Sequence, residues 1–254
     1  MRRYQMLQGV QVPNSNLPSI EITPEGRAMG AIPFWNTLLD PDYVSDNKIR
    51  NRAIKATLQN NEDPGTYTFS SFANGARAFN YPSGSENLLR SLSSTDINPE
   101  RWTVFVVQRP NSDAAQAREV LRSIDSAPAD EFSPRMGINT ANSRASIYKS
   151  SSDATLRLGY TPPVNYNNRT VLLMFTFSVE RGLAIFEDGV LGAAAPNETQ
   201  PFTFGYQAGA VGWNRQMAGL VGMAGLLDAD LSAPENAGYR RSIERFLMTK
   251  YGIN

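Results

Sequence analysis

The chain of 254 residues carries 24 basic and 24 acidic side chains, 41% apolar residues, no histidine and no cysteine. A formal charge of zero gives no field to draw it onto nucleic acid or an anionic membrane. The missing His and Cys remove the commonest general base, the commonest zinc ligand, thiolate sites and disulfides.

Residues 1–33 differ from the rest. Val10, Val12, Leu17, Ile20 and Ile22 are spaced by Pro13, Pro18, Pro24 and polar residues, a pattern that holds a chain extended. The segment reads either as a docking arm laid on another surface or as a leader without structure. Met1-Arg2-Arg3 starts like a secretory leader, but Gln5, Gln8, Gln11 and Asn14 interrupt any apolar core, so no signal peptide is expected. No apolar run is long enough to span a bilayer.

From Phe34 onward, short alternating segments are punctuated by turns. Asn60 to Gly65 is a polar turn, Thr66 to Phe69 a strand, Asn74-Gly75 a turn and Ala76 to Tyr81 another strand. Trp102 to Gln108 is a strong strand ended by Pro110, and Trp35 and Trp102 lie beside apolar segments expected in the core. Residues 113–124 fit either a helix or a strand, with the β neighbours favouring a strand. Arg144 to Lys149 and Thr155 to Tyr160 alternate. Thr170 to Ser178 is nearly all apolar, the mark of a strand covered on both faces. Asp188-Gly189 between apolar flanks predicts a tight hairpin over Leu183 to Ala193. Phe202-Thr203-Phe204 and Ala218 to Leu227 read as further strands.

The period then changes. Ser232-Ala233-Pro234-Glu235 reads as a capping box, followed by Tyr239, Ile243, Phe246 and Leu247 at helical spacing, with Arg240, Arg241 and Glu244 on the polar side. Gly252 suits the left-handed cap. The expectation is an arm (1–33) and one all-β, two-sheet antiparallel jelly-roll sandwich (34–254) closed by one amphipathic helix (233–251).

Residues 218–254 resemble the C-terminal signature of concanavalin A-like (laminin-G-like) lectin/glucanase domains. The parts are an apolar strand, Gly219 to Leu227; an acidic turn, Asp228-Ala229-Asp230-Leu231-Ser232; and a helix ending in Lys250-Tyr251-Gly252. Trp102 to Val107 and Ile185-Phe186-Glu187-Asp188-Gly189 are similar to the family's early core strand and its hairpin. Where the family carries Glu followed by Val or Ile, this chain has Gly222-Met223-Ala224-Gly225. These small residues read as ordinary core adjustment, or as close packing on the helix or another subunit.

The fold hosts lectins, glycosidases and structural virion modules, so function rests on the residues. Glycoside hydrolysis needs two carboxylates on one face, roughly 5–9 Å apart. No strand here carries such a pattern, and Asp228, Asp230 and the Asp130-Glu131 pair read as turn residues. Asp40, Asp42, Asp46 and Asn60 to Asp63 could hold calcium, yet none has EF-hand spacing. Gly205 to Gly212 reads as a β-turn region and not as a phosphate loop. We therefore assign no catalytic residue, no metal and no cofactor. Trp213-Asn214-Arg215-Gln216 and Asn165-Tyr166-Asn167 combine aromatic rings with amides on expected loops, the chemistry that meets a sugar's apolar face and polar edge, or a protein partner. Core packing for Trp213 and turn chemistry for the Asn run are the competing readings.

The resemblance implies a non-enzymatic bacteriophage virion protein: a capsid decoration, head-fibre or tail-surface component made in the host cytoplasm. It would dock on other virion proteins and on itself, for instance as a trimer. A lectin-like glycan binder is the alternative, and a glycosidase a distant third.

Overall fold

The structure, a computed structural model, describes residues 24–45, 48–49, 52–53, 68–81, 89–91, 97–111, 118–123, 135–139, 144–148, 156–202, 211–215 and 218–254. In chain order the elements are α1 (Pro24–Gly30), β1 (Trp35–Leu39), β2 (Val44–Ser45), β3 (Lys48–Ile49), β4 (Thr68–Ser71), β5 (Arg77–Tyr81), β6 (Leu89–Ser91), β7 (Arg101–Pro110) and β8 (Arg118–Ser123). They continue with β9 (Arg135–Asn139), β10 (Arg144–Tyr148), β11 (Leu156–Tyr160), β12 (Val171–Ser178), β13 (Gly182–Glu187), β14 (Val190–Ala195), β15 (Val211–Arg215), β16 (Gly219–Leu227), a 3-10 turn (Pro234–Asn236) and α2 (Ala237–Tyr251).

Among the described residues every strand pairing is antiparallel. An eight-stranded sheet runs β14-β13-β12-β7-β16-β5-β4, with β1 also on β16. A six-stranded sheet runs β11-β10-β9-β8-β15-β6. The chain is thus the expected all-β sandwich with a C-terminal helix, and residues 118–123 take the strand alternative. β12 is buried along its whole length, as its continuous apolar run predicts.

Two apolar clusters explain that burial. Between the sheets, Trp102, Val104 and Val106 of β7 and Leu173, Phe175 and Phe177 of β12 meet Met136, Ile138, Ala145 and Ile147 of the six-stranded sheet. On the opposite face of the large sheet, Phe105, Val107, Leu172 and Met174 meet Ile243, Leu247 and Tyr251 of α2. Alternate residues of the same strands serve the two clusters, so the molecule has three layers: sheet, sheet and helix.

β16 carries an irregularity that fixes the helix. Its pairing with β7 shifts register between Val221 and Ala224. The Met223 N–H freed there donates to the Tyr251 hydroxyl at 2.8 Å. A Cβ on Gly222 would lie 2.7 Å from the Tyr251 ring, and one on Gly225 would lie 2.6 Å from the Phe105 ring. The small-residue stretch that departs from the family pattern is therefore the seat of the helix and of a core aromatic.

Three expectations need correction. The segment 1–33 is not extended throughout, because Pro24 opens α1, whose Met29, with Ile32 just beyond it, is buried in the helix-side cluster. Proline is as well suited to the first turn of a helix as to an extended chain. Val10, Val12, Leu17, Ile20 and Ile22 lie outside the described residues. Ser232 does not cap a helix: its hydroxyl donates to Asp230 at 2.6 Å, a 3-10 turn follows Ala233, and α2 begins at Ala237. Phe202 is not in a strand but in a connecting segment. It is buried there with its ring 4.7 Å from Phe177 and 5.4 Å from Trp102. The cap at Gly252 (φ 64°) and the Asp188-Gly189 turn (φ 50° and 82°) form as expected.

Candidate functional site at the 161–169 loop

The segment joining β11 to β12 carries Pro162-Pro163 and the Asn165 to Asn168 run. Its centre is an anchor. Tyr166 is completely buried in the inter-sheet cluster, and its hydroxyl donates to the Glu187 carboxylate at 2.9 Å. Burial, then the neighbouring Glu187 carboxylate, holds that phenol far above its ordinary pKa, so it stays a neutral donor. Glu187, itself buried at the end of β13, also takes Arg169 at 2.6 Å. Arg169 further reaches Asp188 at 3.5 Å and stands 5.2 Å from the Tyr166 ring centre. Asp188 accepts the Leu172 N–H at 2.8 Å, which ties the hairpin turn to β12.

Local turn chemistry sets the rest of the loop. The Asn165 side chain accepts the Asn167 N–H at 2.8 Å, and Asn168 adopts a left-handed φ of 58°. The Asn168 N–H donates to Pro110 at 2.7 Å, while Arg109 donates to the Asn168 carbonyl at 3.0 Å. The loop is thus tied at both ends and in the middle. Val164 and Asn165 are exposed and Asn167 and Arg169 partly so, and all are presented on a fixed backbone. Of the expected contact residues here, Asn165 and Asn167 keep a surface position. Tyr166 does not: it is a core anchor, because its ring fills the inter-sheet space and Glu187 satisfies its hydroxyl. Arg169 and Glu187, the ion pair that holds this loop, were missed. The only sequence sign was a lone Glu at the inward position of a strand whose neighbours Leu183 and Ile185 are apolar.

Trp213, Asn214 and Arg215 lie in β15, not on a loop, with Trp213 opposite Leu89 and Leu121. Gln216 lies outside the described residues. Among the described residues, the carboxylates weighed for chemistry are occupied. Asp230 is buried and accepts Ser178 at 2.9 Å and the Ser232 N–H at 2.8 Å, and Asp228 accepts the Asn36 amide at 3.4 Å. Asp40 binds Arg52 and Lys250, and Asp42 binds Lys250 at 2.7 Å. Asp46, Asn60 to Asp63 and Asp130-Glu131 lie outside the described residues.

No protein-family model matches the chain, and no curated protein matches it in sequence. Solved structures share its architecture. The botulinum neurotoxin serotype D binding domain superposes with a TM-score of 0.58 at 9% identity, covering 87% of this chain and 53% of that one. The serotype G binding domain gives 0.57 at 9%, over 83% and 51%. The binding domain of Paraclostridial Mosquitocidal Protein 1 gives 0.56 at 9%, over 84% and 52%. These are all-β sandwich binding domains, and the chain spans about half the length of each. At such identity the likeness establishes the fold and nothing finer.

Proposed function

We propose that the chain is a non-enzymatic binding module, working at the surface of a bacteriophage virion as a capsid decoration, head-fibre or tail component. The observation that supports the binding role is the anchored loop: Tyr166 and Arg169 are spent on holding it, so that Val164, Asn165 and Asn167 meet a partner in fixed geometry. Preorganised amides and an apolar side chain on a rigid scaffold lower the ordering cost of docking. The virion setting is what the resemblance of the C-terminal signature implies.

Immunogold labelling of purified particles with an antibody to this chain tests the setting. Label on capsid or tail supports it, and unlabelled particles in a lysate that contains the free chain sink it. The docking surface is tested by the double variant Asn165→Ala/Asn167→Ala, which is expected to weaken particle attachment at least tenfold without altering the fold.

A lectin-like role in recognising a cell-surface glycan is the second reading, favoured by the amide-rich loop and by a sandwich of the kind found in receptor-binding domains. A glycan array separates the two. Signal lost in the Asn165/Asn167 variant or in Trp213→Ala supports glycan recognition, and a flat array with intact particle binding supports protein docking.

A further inference from the structure

We propose that the outer edge of β14 pairs with β14 of a second copy of this chain, antiparallel, so that two eight-stranded sheets become one continuous sheet. β14 ends the strand order and has β13 as its only strand partner among the described residues. Proteins blunt such edges with lysine, proline, inward charges or bulges. β14 reads Val190-Leu191-Gly192-Ala193-Ala194-Ala195, with no lysine, proline or charge, and its Val190 and Leu191 are 69% and 54% exposed. The strand at the opposite end of that sheet, β4, is the polar Thr68-Phe69-Ser70-Ser71.

The register explains why the partner is the chain's own copy. Ile185 stands opposite Ala193 and Phe186 opposite Leu191, so Gly192 is an extra residue in β14. That bulge brings Leu191 onto the same outward face as Ala194, which stands opposite Ala184. About a two-fold axis, Leu191 of one copy then lies against Ala194 of the other, and Val190 against Ala195, large upon small at each position. The bulge falls at the centre, where Gly192 of each copy faces Ala193 of the other. Charge fits as well. β14 has none, and ion pairs flank it at both ends: Arg169 with Glu187 at one and Arg157 with Glu198 at the other. The strand itself sets no like charge against a second copy and selects no basic or acidic partner. An isologous contact of this kind closes at two subunits.

Sedimentation velocity on the full chain across a concentration series tests the pairing. The wild-type protein is expected to pass from monomer to dimer. Leu191→Lys/Ala194→Lys sets like charges directly opposite across the axis and should weaken the dimer at least tenfold, whereas Leu191→Lys/Ala194→Glu sets opposite charges there and should retain it. Both sites are exposed, and a wild-type far-UV spectrum confirms folding. A wild-type chain that stays monomeric up to about 1 mM, or a dimer or trimer indifferent to the Lys/Lys variant, overturns the proposal. Amide exchange gives a second reading that needs no variant: residues 191–195 should exchange more slowly as the protein is concentrated, and unchanged exchange also overturns it.

Discussion

At the scale of single residues, Gln108 and Asp188 are polar side chains that sit where burial works against them. Gln108 lies on the inward face of β7, completely buried, and neither atom of its amide has a hydrogen-bond partner among the described residues. An unsatisfied buried amide costs about 1–3 kcal/mol. Gln108→Met, close in volume and free of that cost, is therefore expected to raise the melting temperature by several degrees, and an unchanged or lower value in calorimetry contradicts this. Asp188 is the second case. Burial, set against the Leu172 N–H and aided by the Glu187 charge, raises its pKa above the ordinary 3.8. The folded state then holds the proton more tightly than the unfolded chain, so this group's contribution to stability declines as pH rises from 3.8 through the raised folded value. Asn keeps the left-handed φ and an acceptor for Leu172. Asp188→Asn should be slightly more stable than wild type at neutral pH, and the gain should vanish by about pH 4. A gain that grows on acidification is the contrary result. Neither case was legible in the sequence. Gln108 merely ended an apolar strand, and Asp188 announced a turn without disclosing how deeply the turn is packed.

Whole elements were easier to read where one physical rule governed them. β7, β12 and the β13–β14 hairpin follow from apolar runs and Asp-Gly, whose backbone needs are local. Misreadings arose where a residue type serves two geometries. Pro24 opens a helix instead of extending an arm, and Ser232 belongs to the acidic turn instead of capping α2. Glu244 belongs to the same group. Expected on the polar side of α2, it is buried and bonds Arg240 at 3.1 Å, beside the hairpin turn at Gly189. The seat of α2 on β16 yields a prediction of its own. Tyr251 is almost fully buried, and its hydroxyl is the acceptor for the Met223 N–H. Tyr251→Phe keeps the ring over Gly222 but leaves that amide unpaired, at a cost of about 1–3 kcal/mol. Gly222→Ala should cost at least as much, since its Cβ meets the ring at 2.7 Å. In urea unfolding both variants should lose midpoint with little change in slope. A Tyr251→Phe midpoint equal to wild type would show that the hydroxyl does not hold the bulge.

For the molecule as a whole, the decisive feature is that the two apolar clusters share their strands. β7, β12 and β16 each face the six-stranded sheet on one side and the helix on the other. Neither layer has an independent core, so helix and sandwich should melt together as one cooperative unit, even though the sequence separates them by period. Leu247, completely buried against the helix-side cluster, is the lever. Leu247→Ala removes packing on that side alone and should cost about 2–5 kcal/mol. Trp102, stacked on Phe177 at 5.6 Å, reports from the other cluster once Trp35, which packs on the helix side, and Trp213 are replaced by Phe in a common background. In the variant, Trp fluorescence and the helical far-UV signal should move to a lower midpoint by the same amount and stay superimposed. If the helical signal went first while Trp fluorescence held its wild-type midpoint, α2 would be a detachable cover, and the three layers would not share one transition.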